Sequence, residues 1–281
     1  MPTVLVTGAN SGIGLATSVE LAKRGWNVVA TMRDREKRGA LEQALRAAGV
    51  TDLVRIERLD VTDEASIDTA IATLDLAHRP LDAVVNNAGI AIGGAFEDLS
   101  DAQVRRVMEV NFFGVLALTR RLLPKFRAQR RGRILIVSSE AAFAGNPTIS
   151  AYTASKWAVE GWAESLAHEV EPFNVQVVLV EPGAVKTNIW EASPRIIPQD
   201  SPYRPLLRHL DAAVDMHVAK TAREPEDVAK VIANALEATK PRFRTAIGPT
   251  ARMLHVARGK VPTSVMRKIF GYYFGLNRVR W

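Results

Sequence analysis

A tyrosine and a lysine stand four residues apart in Tyr152-Thr153-Ala154-Ser155-Lys156, and Ser139 lies thirteen residues before the tyrosine. On a helix, that spacing brings both side chains to one face. An ammonium beside a phenol stabilises the phenolate, so Lys156 is expected to pull the Tyr152 pKa toward neutrality. A phenol tuned in this way gives and takes a proton near pH 7, as reversible carbonyl reduction requires. A Tyr–Lys pair alone fits a solvated helix surface equally well. The elements around it decide between the two readings.

The first of these elements is at the N-terminus. Thr3-Val4-Leu5-Val6 reads as a short buried strand, and Leu15-Ala16-Thr17-Ser18-Val19-Glu20-Leu21-Ala22 has helical spacing. Between them runs Thr7-Gly8-Ala9-Asn10-Ser11-Gly12-Ile13-Gly14. A glycine-rich turn from strand to helix lets backbone approach a pyrophosphate, and the helix N-terminus offers it free N–H groups. The spacing is Gly-xxx-Gly-x-Gly rather than the commoner Gly-x-Gly-xx-Gly. The competing reading is a purely structural turn.

Further along, apolar strand-like runs at 4–7, 27–31, 53–59, 81–86, 133–138, 176–181 and 245–248 alternate with helical stretches at 36–48, 64–76, 101–127 and 151–171. Alternation of this kind predicts a parallel sheet covered on both faces. Residues 188–222 form a long connection containing Pro194, Pro198, Pro202 and Pro205. A partly helical lid is expected there, not a domain linker. Residues 1–250 are therefore expected to form one domain that includes this lid, with 251–281 as a basic amphipathic extension. No repeats and no low-complexity stretch are evident.

In order and spacing these residues resemble the short-chain dehydrogenase/reductase family, over residues 3 to about 190. The likeness is to its single-domain Tyr-x-x-x-Lys type. It implies a Rossmann-type doubly wound parallel sheet of about seven strands, helices on both faces and, here, a C-terminal helical extension. Gly8, Asn10, Ser11, Gly12, Ile13 and Gly14 match the cofactor loop. Asp60 and Val61 match the adenine contact, and Asn87, Ala88 and Gly89 (within Asn86-Asn87-Ala88-Gly89) match the motif after the fourth strand. Pro182, Gly183, Val185 and Thr187 match the segment beside the nicotinamide. The resemblance implies a catalytic set of Asn111, Ser139, Tyr152 and Lys156. Tyr152 would be general acid in reduction and base in oxidation, and Lys156 would hold the ribose hydroxyls and tune the phenol. Ser139 would orient the substrate oxygen, and Asn111 would bind a water linking Lys156 to solvent.

The cofactor preference is read after the second strand, where an NAD site places an acid against the ribose 2′-hydroxyl. Here the aligned position is Met32, followed by Arg33 and Asp34. A guanidinium fits a phosphate in charge and geometry. NADP(H) is therefore favoured over NAD(H), with Ser11 adding a donor. In the alternative, Arg33 is solvated and Asp34 takes the ribose.

Composition narrows the remaining classes. The chain has 281 residues, enough for one α/β domain with an appendage, and no cysteine, which excludes thiolate metal sites, disulfides and cysteine nucleophiles. His78, His168, His209, His217 and His255 show no metal-ligand spacing, and no metal is expected. Histidines 209 and 217 fall in the lid, where a surface role is favoured over substrate contact. The first strand begins almost at Met1, leaving no room for a signal peptide, and no apolar run would span a bilayer. A cytoplasmic protein is the default expectation, with surface membrane association as an option of the tail.

The net charge of +7 is unevenly placed. After the last acid, Glu237, come Lys240, Arg242, Arg244, Arg252, Arg258, Lys260, Arg267, Lys268, Arg278 and Arg280. Those are ten of the 37 lysines and arginines, so the rest of the chain is slightly acidic and no nucleic-acid partner is expected. Three roles fit the basic, aromatic helix expected at 265–274: a cover over the substrate entrance, an anchor on an acidic membrane surface, or a dock for another subunit.

Substrate contacts are expected from 90–96, 140–150 and the lid, where Ile90, Ala91, Ile92, Ala141, Ala142, Phe143, Ala144, Ile189, Trp190, Ile196 and Ile197 are apolar. Glu140 either receives a polar group of the substrate or points to solvent. An apolar site suits a lipophilic alcohol or ketone, and the resemblance leans toward the steroid- and retinol-dehydrogenase side of the family. The alternatives are a β-ketoacyl-type reductase and a non-catalytic NADP-sensing or scaffold protein. The family likeness of helices 101–127 and 151–171 implies a homodimer or homotetramer.

Overall fold

The computed structural model describes residues 1–76, 80–187, 189 and 194–279. His78, Trp190 and Arg280, and the side chain of His217, lie outside the described residues. The strands are β1 (Thr3–Thr7), β2 (Asn27–Met32), β3 (Val54–Arg58), β4 (Ala83–Asn86), β5 (Gly93–Gly94), β6 (Gly132–Val137), β7 (Val175–Pro182), β8 (Arg195–Ile196) and β9 (Arg244–Ile247). The α-helices are α1 (Gly12–Lys23), α2 (Gly39–Ala48), α3 (Glu64–Leu76), α4 (Asp101–Met108), α5 (Gly114–Gln129), α6 (Ser150–Val170), α7 (Arg204–Thr221), α8 (Pro225–Glu237), α9 (Pro249–Ala257) and α10 (Thr263–Tyr273).

Seven strands form one parallel sheet in the order β3-β2-β1-β4-β6-β7-β9. Strands β1 and β2 are buried almost throughout, as parallel strands covered on both faces must be. Successive residues face opposite layers. Val4 and Val6 pack with Leu21, Leu41, Val228 and Ile232 from α1, α2 and α8. Leu5 packs with Ile67, Leu118, Phe126, Val159 and Leu166 from α3, α5 and α6. Each such fully buried aliphatic side chain contributes roughly 1.5–3 kcal/mol.

The order runs outward from β1 in both directions, so the chain's switch point lies between β1 and β4. The loops that follow these strands carry Gly8 and Asn87, and a ligand binds at such a crevice.

Three expected elements are modified. The helix at 36–48 is split: the Asp34 carboxylate accepts from the Glu36 N–H at 3.0 Å and starts a 3₁₀ turn, Arg35–Arg38, before α2. The helix at 101–127 begins with a capping box between Ser100 and Gln103, widens into a π turn at Glu109–Phe113, and continues as α5. The tail is two helices, with Pro262 capping the second.

A two-stranded ribbon, β5 with β8, ties the start of the lid to the loop after β4. Nothing local in either pair of residues announced it.

The extension is bonded to the body. Phe143, Ala144 and Leu254 form a small core joined by Met266 and Phe270. Beneath it, Arg244 meets Glu160, Glu164 and Glu181 at 3.0, 2.6 and 3.1 Å, and Arg258 meets Glu160 at 3.3 Å. Glu160 and Glu181 are fully buried. Two of the ten late cations thus pair with buried acidic side chains and are not part of a solvated basic run.

Candidate active site

The glycine turn is shaped by close packing. A Cβ at Gly14 would stand 2.2 Å from the Gly8 carbonyl oxygen, and one at Gly12 3.0 Å from Thr187. Gly8 and Gly12 have φ of +67° and +53°, the left-handed region that favours glycine. Ser11, the N-cap of α1, is extended and makes no side-chain cap, so first-turn N–H groups face the cavity. The Asn87 amide donates to the Thr7 and Gly8 carbonyls at 2.8 and 3.2 Å. The Thr7 hydroxyl accepts from the Asn87 and Ala88 N–H groups, both at 2.9 Å. The turn is therefore braced from the neighbouring strand, with its glycine backbone along the cavity.

A cavity of about 650 Å³ runs from this turn across the C-terminal ends of the strands. Gly8, Asn10, Ser11, Gly12, Ile13, Arg33, Asp60, Val61, Asn87, Ala88, Gly89, Ser139, Tyr152, Lys156, Pro182, Gly183, Val185 and Thr187 all line it. Gly14 and Asn111 do not: one supports the turn, and the other sits behind the wall.

Ser139, Tyr152 and Lys156 come together at mid-cavity. Ser139 caps the 3₁₀ turn Glu140–Ala142 by accepting from the Ala141 N–H at 3.1 Å, and its side chain hydrogen-bonds that of Tyr152. Lys156 Nζ lies 5.6 Å from the centre of the Tyr152 ring and donates to the Val137 carbonyl at 2.9 Å. Burial pushes the Tyr152 phenol up to about 12, against the Ser139 hydrogen bond, and Glu140 adds to the rise. Burial pulls Lys156 down to about 8, with Glu160 opposing. This corrects the expected depressed phenol. Burial is the largest cause at both groups, so in the chain by itself the lysine titrates nearer neutrality and the tyrosine keeps its proton.

The Asn111 side chain is fully engaged within the protein. Its Oδ1 accepts from the Ile90 N–H at 2.9 Å, and its Nδ2 donates to the Ile90 carbonyl at 2.9 Å and to Ser155 Oγ at 3.0 Å. Both amide donors are spent. The π turn aims Asn111 at these partners, fixing the loop after β4 against the helix that carries Tyr152 and Lys156.

At the far end stand Arg33 and two cations that sequence reasoning missed, Lys37 and Arg106. Arg33 is exposed, whereas Met32 is buried in the core. Asp34 also lines this end, with its carboxylate on Glu36 N–H. Burial works to raise Asp60, but two bonds from Thr62, at 2.9 and 2.7 Å, and the charges of Arg33 and Arg106 hold it below the ordinary range.

Ile90, Glu140, Ala141, Ile149, Ile189, Ile196, Leu207, Leu254, Phe270, Tyr273 and Phe274 enclose the other end. Arg195, also in this wall and not foreseen, pairs with Asp211 of α7. His209 bonds the Phe274 carbonyl at 2.9 Å, so this lid histidine links lid to tail. Among the described residues no cluster could hold a metal. No described helix is long and apolar enough to cross a membrane.

The model of the short chain dehydrogenase family matches residues 2–195, which hold the glycine turn and the Ser139, Tyr152 and Lys156 group. The chain belongs to the short-chain dehydrogenase/reductase family. An uncharacterized oxidoreductase, YusZ of Bacillus subtilis (strain 168), is 37% identical over 94% of this chain and 95% of its own length. Retinol dehydrogenase 8 of Bos taurus is 36% identical over 86% of this chain and 80% of its own. A crystal structure of a short-chain dehydrogenase from Streptomyces avermitilis superposes with a TM-score of 0.79 at 30% identity, over 99% of both chains. This dehydrogenase/reductase is thus an enzyme, an oxidoreductase for alcohols and ketones that uses a nicotinamide nucleotide.

Proposed function

We propose that this dehydrogenase/reductase is an NADP(H)-dependent enzyme that interconverts a carbonyl and an alcohol on a small lipophilic substrate, such as a steroid, a retinoid or an aryl or alkyl ketone. The observation that carries the reading is the meeting of Ser139, Tyr152 and Lys156 in a wall that is otherwise largely apolar. The bound nicotinamide would supply or accept the hydride. Gly8, Gly12, Ile13, Asn87 and Thr187 would hold that nucleotide.

In the direction of reduction, Ser139 holds the substrate oxygen beside the phenol of Tyr152. That phenol, kept protonated by burial, gives its proton to the forming alkoxide. Lys156, anchored on the Val137 carbonyl, offers a positive charge that stabilises the phenolate left behind. Asn111 keeps the two sides of the site in register.

The NADP preference is supported by Arg33 and Lys37 at the far end of the cavity and by a buried methionine where an acid would meet the ribose hydroxyl. The lipophilic substrate is supported by the wall and by likeness to a retinol dehydrogenase. Phe270, Tyr273 and Phe274 along the cavity favour the tail as a cover for the substrate entrance. Exposed Phe113 and Trp157 support pairing of subunits through the flanking helices.

The test is the initial rate of NADPH oxidation, with NADH in parallel, across steroid ketones, retinal, aryl ketones and a β-ketoacyl thioester. NADPH-selective turnover of a lipophilic carbonyl is the expected result. Turnover confined to the thioester would favour a β-ketoacyl reductase. Silence throughout, with NADPH still bound, would favour a sensor.

A further inference from the structure

We propose that the outer faces of α9 and α10 seat this enzyme on an anionic lipid surface, with the mouth of the substrate cavity opening against it. The docking follows from the surface itself. Entry of the substrate from the lipid rests on the oxidoreductase reading above.

The first ground is where apolar surface is left exposed. Six of the eleven exposed large apolar side chains among the described residues are Met253, Val256, Val265, Ile269, Tyr272 and Tyr273. They are ordered by the helices that carry them. On α10, Met266 and Phe270 pack on the small core with Leu254, which fixes the inner face. Val265, Ile269 and Tyr272, at i, i+4 and i+7, then form a stripe on the outer face. On α9, Ala251 and Leu254 are buried, and Met253 and Val256 fall on the opposite side. With 11 residues, α10 is too short to span a bilayer. Its stripe suits the boundary between headgroups and acyl chains, where a tyrosine buries its ring and keeps its hydroxyl in water.

The second ground is charge. Arg244 and Arg258 are engaged with buried acids, but Arg252, Lys260, Arg267 and Lys268 are exposed on the same two helices and the turn between them. No acid follows Glu237 in the sequence. Two copies brought together on this face would therefore set like charges against each other, with no acid in the tail to pair them. A polynucleotide would meet the charge and leave the apolar stripe in water. Anionic lipid matches both, since headgroups take the cations and acyl chains take the apolar side chains. The third ground is the cavity. Met253, Ile269 and Tyr273 belong to the exposed face and also line the cavity at its substrate end. A lipophilic ketone held in the lipid would enter past them without crossing bulk water.

The experiment sediments the full chain, loaded with NADPH, with vesicles of phosphatidylcholine alone or mixed equally with phosphatidylglycerol. Binding is expected to the mixed vesicles and is expected to weaken as salt rises. Lys260→Gln, Arg267→Gln and Lys268→Gln together should lower the partition constant about 100-fold, about fivefold for each charge near an anionic surface. Val265→Ser with Tyr272→Ser should lower it about tenfold. No binding by the wild type, equal binding to both kinds of vesicle, or binding that both variants keep overturns the proposal. A change of oligomeric state in Val265→Ser with Tyr272→Ser, without vesicle binding by the wild type, makes the stripe a contact between copies and overturns it too. So does tighter binding to an oligonucleotide than to the mixed vesicles at equal salt. None of the substituted side chains lines the cavity. A short water-soluble ketone should therefore be reduced equally by the wild type and the charge variant, and a long-chain ketone carried in the mixed vesicles about tenfold faster by the wild type. Equal rates on the vesicle-borne ketone overturn entry from the lipid. Vesicle binding by an enzyme silent toward every carbonyl upholds the docking and counts against the oxidoreductase reading alone.

Discussion

The two ends of the cavity are built by different means. At the glycine turn, the shape comes from backbone: Gly8 and Gly12 at positive φ, Gly14 against the Gly8 carbonyl, and Asn87 and Thr7 closing the remaining bonds. All of this lies within two adjacent loops of one sheet. At the substrate end, the wall is assembled from the turn after β6, the ribbon β5–β8, helix α7 and helix α10, which are far apart in sequence. The first end receives a ligand common to a whole family and has little freedom to vary. The second receives what distinguishes this enzyme, and its side chains are held by packing between elements rather than by a motif.

Substitutions at the centre, the cofactor end and the substrate end should separate cleanly if this contrast is right. Tyr152→Phe, at the junction, is expected to lower kcat by about a thousandfold while leaving the Kd for NADPH unchanged. Residual activity within tenfold of wild type would remove the tyrosine from the mechanism. Arg33→Asp acts on the cofactor end alone and should move the NADPH-to-NADH ratio of kcat/KM by about 100-fold toward NADH, with KM for the carbonyl unaltered. A constant ratio would pass the 2′-phosphate to Lys37 or Arg106. Phe270→Ala acts on the substrate end alone. A roughly tenfold rise in KM for a lipophilic ketone is expected from the lost apolar contact, with unchanged Kd for NADPH; a shift in both would show that the ends are coupled.

The smallest effect concerns how the tail is fastened. Burial, and then the charge of Glu160, hold Glu181 above the ordinary carboxyl range, with Arg244 and Arg258 opposing. The folded chain keeps a proton there that the unfolded chain gives up. Stability therefore falls as pH climbs from the ordinary carboxyl range toward the folded value. Glu181→Gln has no such slope, so its Tm relative to wild type should rise by about 2–4 °C between about pH 5 and about pH 8. A flat or falling difference would mean that the carboxyl is ionised throughout.

The same contrast explains what the sequence discloses. The strands, the helix at 64–76 and the ordered cofactor motifs are legible because each depends on neighbours in sequence: apolar runs, a turn, a spacing of four. The helical pairing of Tyr152 with Lys156 is legible for the same reason. The pKa values of Tyr152 and Lys156 are not, because burial depends on what other elements place over them. Nor is the role of Asn111, whose partners Ile90 and Ser155 lie 21 and 44 residues away. The cations Arg244 and Arg258 look like part of a solvated basic tail until the fold brings Glu160 and Glu181 beneath them.

The π turn at Glu109–Phe113 is in effect one extra residue inserted into a continuous helix. The wide turn takes up that residue locally, so α4 and α5 keep one phase on either side of it. Removing it would leave the buried face of α5, with Leu118, Leu122 and Phe126, on the sheet and take away only the widened turn that aims Asn111 at Ile90 and Ser155. The loop after β4 is thus tied to the helix that carries Tyr152 and Lys156 through a local surplus of one residue, in a stretch whose apolar pattern reads as uninterrupted helix.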